Sequence, residues 1–374
     1  MSSVRGAFGF RLKSVGNPLE LEELAPLVPG RDQVVIEVAG CGLCHTDIGF
    51  AFDGVPTRHP LPLVPGHEIA GRVVLAGEGA REWVGKSVIV PAVIPCGACL
   101  PCLAGRPTIC RNQFMPGNDG DGGFATHVMV PARGLCPVPD TLPAGLTLEM
   151  LSVVADAVTT PYEAVLRAGL GETDVAIFVG VGGVGGFGVQ VAAATGAAVV
   201  AIDVDDERLQ LATRHGASLA LNAKEGDPKE MKSRIRGLAK ATGKGLIGSK
   251  IFETSGTKAG QETAFSLLDF GGYLAVVGYT AEKISLRLSN LMALDASMRG
   301  NWGCAPENYP GALALVLDGK VAIAPYVELH ALEDLPSLFE AAKNHQLRRR
   351  AIVVPRRTEQ PLAVAGAAAK ESFE

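Results

Sequence analysis

"DVAIFVGVGGVGGFGVQVAAATG", residues 174–196, decides the fold. It opens on six residues, almost all apolar, with no polar alternation, the pattern of a strand covered on both faces of a parallel sheet. Gly180, Gly182 and Gly185 then set out G-x-G-x-x-G, with Gly183 and Val184 inside the motif, and an apolar helix-like run follows. A glycine motif alone is a weak signal. Between a strand and a helix it forms a turn whose backbone N–H groups and helix N-terminus can hold a pyrophosphate. The next apolar run, "AVVAID", ends at Asp203, eighteen residues beyond Gly185, where a carboxylate can accept the ribose hydroxyls of a dinucleotide. The same charge repels a 2′-phosphate, which favours NAD over NADP.

Outward from this stretch the alternation continues. "DERLQLATRHGA" reads as a helix, while "KIFETSG" and "GGYLAVVG" read as further strands, so residues 158–298 form a doubly wound α/β domain around a parallel sheet. Upstream, "QVVIEVAG", "AGRVVLAG" and "KSVIVPAV" are short β-rich runs broken by Gly and Pro clusters, the signature of a mostly β domain with long loops. Residues 299–374 return to mixed character and are expected to complete that first domain, giving 1–157 with 299–374 and 158–298 as the two parts, while "EQPLAVAGAAAKESFE" reads as a loose tail. A chain of 374 residues with 47% hydrophobic and 20% charged residues has material for two cores. A formal net charge of −5 opposes wrapping nucleic acid, which needs a concentrated positive field. The N-terminus lacks the basic and apolar regions of an export signal, and no apolar run approaches the roughly 20 residues that span a bilayer. A cytoplasmic protein without membrane contact is therefore expected.

Of eight cysteines, four fall in "CGACLPCLAGRPTIC": Cys96, Cys99, Cys102 and Cys110. Four thiolates fill a tetrahedral zinc shell and leave no open position, so such a site holds a loop together. An iron–sulfur cluster and four unliganded thiols are the rivals. A second set is dispersed: Cys44 in "CGLCHTD", His67 in "GHE", and Asp156 in "ADAVTTPYEA". One thiolate, one imidazole and one carboxylate suit a catalytic zinc, which takes three protein ligands and keeps a fourth position open. Taken singly, His67 reads as an ordinary core or loop histidine and Asp156 as a helix cap.

With these three sites in this order, the chain resembles the zinc-dependent medium-chain alcohol dehydrogenases over about residues 5–355. The resemblance implies a Rossmann domain joined to a GroES-like catalytic domain, two zinc ions per chain, one catalytic and one structural, and NAD. It also implies the ligand set Cys44, His67 and Asp156. The family often has cysteine or glutamate at the third place, and Glu68, which in relatives approaches the metal, is the rival there. Thr46 is then placed to take the substrate's hydroxyl proton, Asp47 to brace the metal site, and His45 to lie near the cofactor pyrophosphate. Cys41 is expected to serve packing. Gly49 stands where many relatives keep a proton-relaying histidine. For the cofactor, the resemblance adds Arg208 at the adenosine ribose, Val277 and Gly278 near the nicotinamide, Asn301, and Arg350 at the pyrophosphate, with Arg349 able to trade places with it.

The short segment between Cys110 and "GGFATH" is similar to that of tetrameric members and implies a homotetramer. "ADAVTTPYEAV" and "RGNWGCAPENYP" are similar to 6-hydroxycyclohex-1-ene-1-carbonyl-CoA dehydrogenases, which implies a cyclic hydroxyacyl-CoA substrate, with Arg58 and His59 available for the coenzyme A phosphates. A simple or aromatic alcohol is the alternative substrate. A zinc-free enoyl or quinone reductase and a non-catalytic binding protein are the competing classes. The metal ligands oppose the first, and intact Thr46 and Asp47 oppose the second.

Overall fold

The computed structural model describes residues 2–355 and a two-residue strand at Val364–Ala365, which pairs with Ser3–Val4. The remainder of the tail read as loose lies outside the described residues. The chain divides into two compact units, one holding the residues up to Asp156, Ala305–Pro310 and Val327 onward, the other Ala157–Cys304 and Gly311–Tyr326.

In the second unit the apolar runs form a six-stranded parallel sheet. Its spatial order is Leu219–Asn222, Ala198–Asp203, Asp174–Val179, Gly245–Glu253, Tyr273–Val276, Ser297–Gly300. Numbered along the chain this is 3-2-1-4-5-6, the dinucleotide-binding order in which the crevice opens between strands 1 and 4. Val175, Ile177, Val200, Ile202, Ile251 and Leu274 lie at 0–2% exposure, which is why these runs show no polar alternation.

The first unit is built on an antiparallel ladder around Gln33–Gly42, which pairs with Glu68–Ala76, His127–Pro131 and Arg350–Val354. Ser87–Val90 and Cys136–Pro137 extend one side, and Val327–Ala331 runs parallel to Arg350–Val354 on the other. Its separate core includes Val34, Ile36, Ile69, Val88, Phe124 and Phe339.

The return to the first unit, expected at 299, begins at Ala305 and is interrupted. Residues 311–326 pack in the second unit because their apolar face joins the helix that follows the glycine loop. Ala322 N–H donates to Gln190 Oε1 at 2.7 Å, and the Tyr326 ring lies 5.2 Å from that of Phe187. Gly186 permits this approach, since a Cβ there would stand 2.5 Å from the Tyr326 ring.

Candidate active site and metal centres

Cys44 caps the helix His45–Phe52, and Asp47 at its third position closes a capping box by accepting the Cys44 N–H at 3.0 Å. The other Asp47 oxygen accepts the Gly66 N–H at 3.1 Å and lies 3.3 Å from His67 Nδ1. One wholly buried carboxylate therefore positions both the thiol and the imidazole. The His67 Nδ1 contact lacks the alignment of a good hydrogen bond, so the ring is held mainly by charge on this side. On the other side Nε2 faces Asp156 Oδ2 at 3.5 Å. Donor atoms of Cys44, His67, Glu68 and Asp156 all lie within 4.8 Å of one another. Burial opposes a charged His67, but Asp47, helped by Asp156 and Cys44, raises its pKa well above the ordinary value. An imidazole surrounded by two carboxylates and a thiol is the environment a dication would occupy and neutralise.

Two carboxylates, Glu68 and Asp156, adjoin this centre, and Arg350 distinguishes them. It grips Glu68 through Nε–Oε2 at 2.7 Å and Nη2–Oε1 at 2.5 Å, with both side chains buried. Burial pushes the Glu68 carboxyl up, the guanidinium opposes this, and Arg350 is held firmly charged by its partner. Asp156, with the less buried carboxylate, is better disposed to give an oxygen to a metal beside Cys44 and His67. Arg350, expected at a cofactor phosphate, thus has a carboxylate partner that sequence reasoning did not name. The Thr46 hydroxyl lies 3.7 Å from Cys44 Sγ, next to the proposed ligand. His45 is exposed, its ring stacked 5.8 Å from that of His345. Cys41 is buried with its thiol pushed well up by burial, as its packing role requires.

In the cysteine loop the sulfurs have already converged. Sγ–Sγ distances are 3.4 Å for Cys99–Cys102, 3.6 Å for Cys99–Cys110 and 4.0 Å for Cys96–Cys102. Bonds of about 2.3 Å to a tetrahedral zinc imply edges of about 3.8 Å, so the four thiols fit one ion and crowd too closely to surround a multi-iron cluster. N–H groups of Ala98 and Cys99 pull the Cys96 thiol down to about 6, a ready thiolate at neutral pH.

In the second unit Gly180 and Gly185 have a steric reason. Gly180 has φ +87°, and a Cβ there would strike the Ser255 backbone. A Cβ on Gly185 would meet the Gly180 carbonyl oxygen, whereas one on Gly182 would meet Arg208 at 3.3 Å. Gly182, Gly183 and Val184 remain partly open beneath that guanidinium, a cradle for phosphate. Asp203 also organises the turn around it, since its carboxylate accepts N–H groups of Val181 at 2.7 Å, Val204 at 2.8 Å and Asp205 at 3.1 Å. Of about four acceptor positions, one is left for a ribose hydroxyl. Asn301 donates to the carbonyls of Thr160 and Gly303 and leaves its buried Oδ1 without a partner, an acceptor at the strand ends.

Sequence reasoning missed Glu253. It ends strand Gly245–Glu253 fully buried, with Oε1 accepting Ser255 N–H at 2.8 Å and Gly256 N–H at 3.1 Å. Its carbonyl accepts the N–H groups of Val277 and Gly278, tying together the ends of two strands. The signal for it in the sequence is an acid closing an apolar strand, as Asp203 does. The suggested coenzyme A contacts find other partners: Arg58 pairs with Asp119 at 3.2 Å, and His59 Nδ1 contacts the Pro60 carbonyl at 2.7 Å.

Residues 30–140 match the alcohol dehydrogenase GroES-like domain family, and residues 183–318 match the zinc-binding dehydrogenase family. An alcohol dehydrogenase of Geobacillus stearothermophilus is 30% identical over 90% of this chain and 95% of its own. One from Rhizobium meliloti (strain 1021) is 32% identical over 91% of this chain and 97% of its own. The solved alcohol dehydrogenase of the archaeon Aeropyrum pernix superposes with a TM-score of 0.83 at 29% identity, covering 93% of this chain and 100% of that one. Sharing that ancestry over both units, and carrying two metal-ligand sets and a dinucleotide loop, the chain belongs to the zinc-dependent alcohol dehydrogenases, NAD-linked oxidoreductases of the medium-chain type.

Proposed function

We propose that this protein oxidises a secondary alcohol to a ketone with NAD, using Cys44, His67 and Asp156 as ligands of the catalytic zinc and Cys96, Cys99, Cys102 and Cys110 as those of the structural one. The observation carrying the first assignment is the convergence of Cys44, His67 and Asp156 around a histidine braced from behind by Asp47, while Glu68 is occupied by Arg350. Zinc there supplies Lewis-acid polarisation of an alcohol oxygen, and NAD at the glycine loop supplies a hydride acceptor. Asp47 keeps Cys44 and His67 from turning away. Thr46 Oγ1, beside Cys44, receives the substrate's hydroxyl proton and passes on its own. Gly49 has no side chain to continue the relay, so the onward carrier is water. Arg208, the glycine loop and the remaining acceptor position of Asp203 hold the adenosine and phosphate portion.

The substrate we put first is a cyclic hydroxyacyl thioester of coenzyme A, 6-hydroxycyclohex-1-ene-1-carbonyl-CoA, on the resemblance carried by residues 155–165 and 299–310. A simple or aromatic alcohol is the second reading, favoured by the pairing of Arg58 with Asp119, which occupies the cation suggested for the coenzyme A phosphates. NADH formation is measured across hydroxyacyl thioesters, their free acids and small alcohols. A thioester enzyme loses turnover as well as affinity when the coenzyme A portion is removed, because remote binding energy orients the reacting carbon. Equal efficiency with small alcohols would establish the second reading.

A homotetramer working in the cytoplasm completes the proposal. Its supports are the short 111–121 segment, the exposed edge strand Ser297–Gly300 and eight cysteines that form no disulfide. Light scattering that gives the mass of one or two chains would refute the tetramer.

A further inference from the structure

Cys44 stands two residues beyond the ladder strand Gln33–Gly42 as the cap of the helix His45–Phe52, and His67 immediately precedes the strand Glu68–Ala76, so regular elements flank both proposed ligands. Asp156 belongs to no strand. It follows the 3-10 turn Met150–Ala155 as the residue just past its end, with φ −142°, ψ −56°. The turn itself is packed: Leu151, Val153, Val154 and Ala155 are at 0% exposure, and a Cβ on Gly40 would stand 2.7 Å from the Glu149 carbonyl oxygen. Packing fixes the turn's body and leaves the direction of its last peptide to polar contacts.

The shortest of those contacts comes from a distant residue. Tyr309 is wholly buried, and its hydroxyl donates to the Ala155 carbonyl at 2.5 Å while accepting the Ala92 N–H at 3.1 Å, an N–H that also makes a longer contact of 3.4 Å with that carbonyl. The Ala155 carbonyl belongs to the peptide that links Ala155 to Asp156, so its direction sets where the Asp156 side chain starts. We propose that Tyr309 is a positioning residue for the catalytic zinc, its hydroxyl orienting the 155–156 peptide so that Asp156 faces His67. The inference rests on Asp156 being the third ligand. It assigns a function to the end of "RGNWGCAPENY", none of whose motifs suggested a metal-site role.

Tyr309→Phe deletes the hydroxyl and keeps the ring in its packing site. Support of this kind changes metal affinity about 10- to 100-fold. The holoenzyme is challenged with a chelator while zinc release is followed, and its catalytic site is reloaded with cobalt for visible absorption. Tyr309→Phe is expected to release one of two zinc ions at least about tenfold faster, to leave the other at the wild-type rate, and to shift the cobalt bands. 4-Aminophenylalanine at position 309, which keeps a weaker N–H donor, is expected to recover part of the effect. If Tyr309→Phe does not fold, that second variant carries the test alone, with intermediate release expected. A merely structural role lowers the melting temperature without favouring one zinc over the other and leaves the cobalt bands in place, and that outcome overturns the proposal. Asp156→Asn separates the two ideas: retention of both zinc ions there refutes the ligand assignment, whereas loss of one beside wild-type behaviour at 309 refutes only the role of Tyr309.

Discussion

At the scale of single residues, Asp156 and Glu68 offer two carboxylates to one centre, and their partners separate their roles. Removing Glu68 strands the buried Arg350 charge, and breaking a buried pair this way costs about 3–5 kcal/mol. Removing Asp156, whose side chain is 18% exposed, takes an acceptor away from His67 and leaves the Glu68–Arg350 pair whole. Asp156→Ala is therefore expected to stay folded, keep one zinc per chain and lose dehydrogenase activity, whereas Glu68→Ala is expected to melt well below the wild type. Metal analysis with thermal melts checks both, and two zinc ions in a working Asp156→Ala protein would exclude Asp156 as a ligand. Thr46→Ala separates proton handling from metal binding. Both zinc ions and NADH binding should persist while turnover falls at least about 100-fold, the worth of a positioned proton acceptor. Turnover at the wild-type level would show that the proton leaves by another route.

At the scale of elements, what was legible in the sequence was what local chain geometry decides. Gly180 and Gly185 sit between a strand and a helix because a Cβ there would strike Ser255 and the Gly180 carbonyl, so a steric rule wrote two glycines of the motif. Cys96 to Cys110 lie close enough along the chain to share one ion. Asp156, Arg350 and Tyr309 are different, because contacts across 89, 282 and 154 positions define their roles and no local periodicity encodes these. Family resemblance reached Asp156 but not the Arg350–Glu68 pair. Sequence order groups helix 309–317 with the first domain, although most of its length packs in the second unit. Ladder register also has a measurable consequence. His127 stands opposite Glu37, and burial lowers its pKa from the ordinary value near 6.5, with Glu37 opposing only in part. As pH falls below about 6.5 the unfolded chain takes up this proton before the folded one. The contribution to stability is thus complete above that pH, declines below it, and levels off once the folded histidine also protonates. His127→Gln should flatten the decline in urea midpoint between about pH 6.5 and 5, and an unchanged slope would assign the acid sensitivity to other groups.

At the scale of the whole molecule, one buried apolar cluster lies within the ladder unit and another around the parallel sheet. Both proposed zinc-ligand sets belong to the first unit, while the glycine loop and Asp203 belong to the second. A ligand stabilises the cooperative unit that binds it, and NADH at about 100 times its Kd contributes about 2.7 kcal/mol to that unit. Calorimetry of the holoenzyme is therefore expected to resolve two transitions. Chelation, or Cys96→Ser, should lower one and leave the other in place, because a closed four-cysteine site contributes its binding energy to the fold around it. NADH should raise the second transition and have less effect on the first. A single transition that zinc removal lowers and NADH raises to the same extent would mean that the two units melt as one cooperative body.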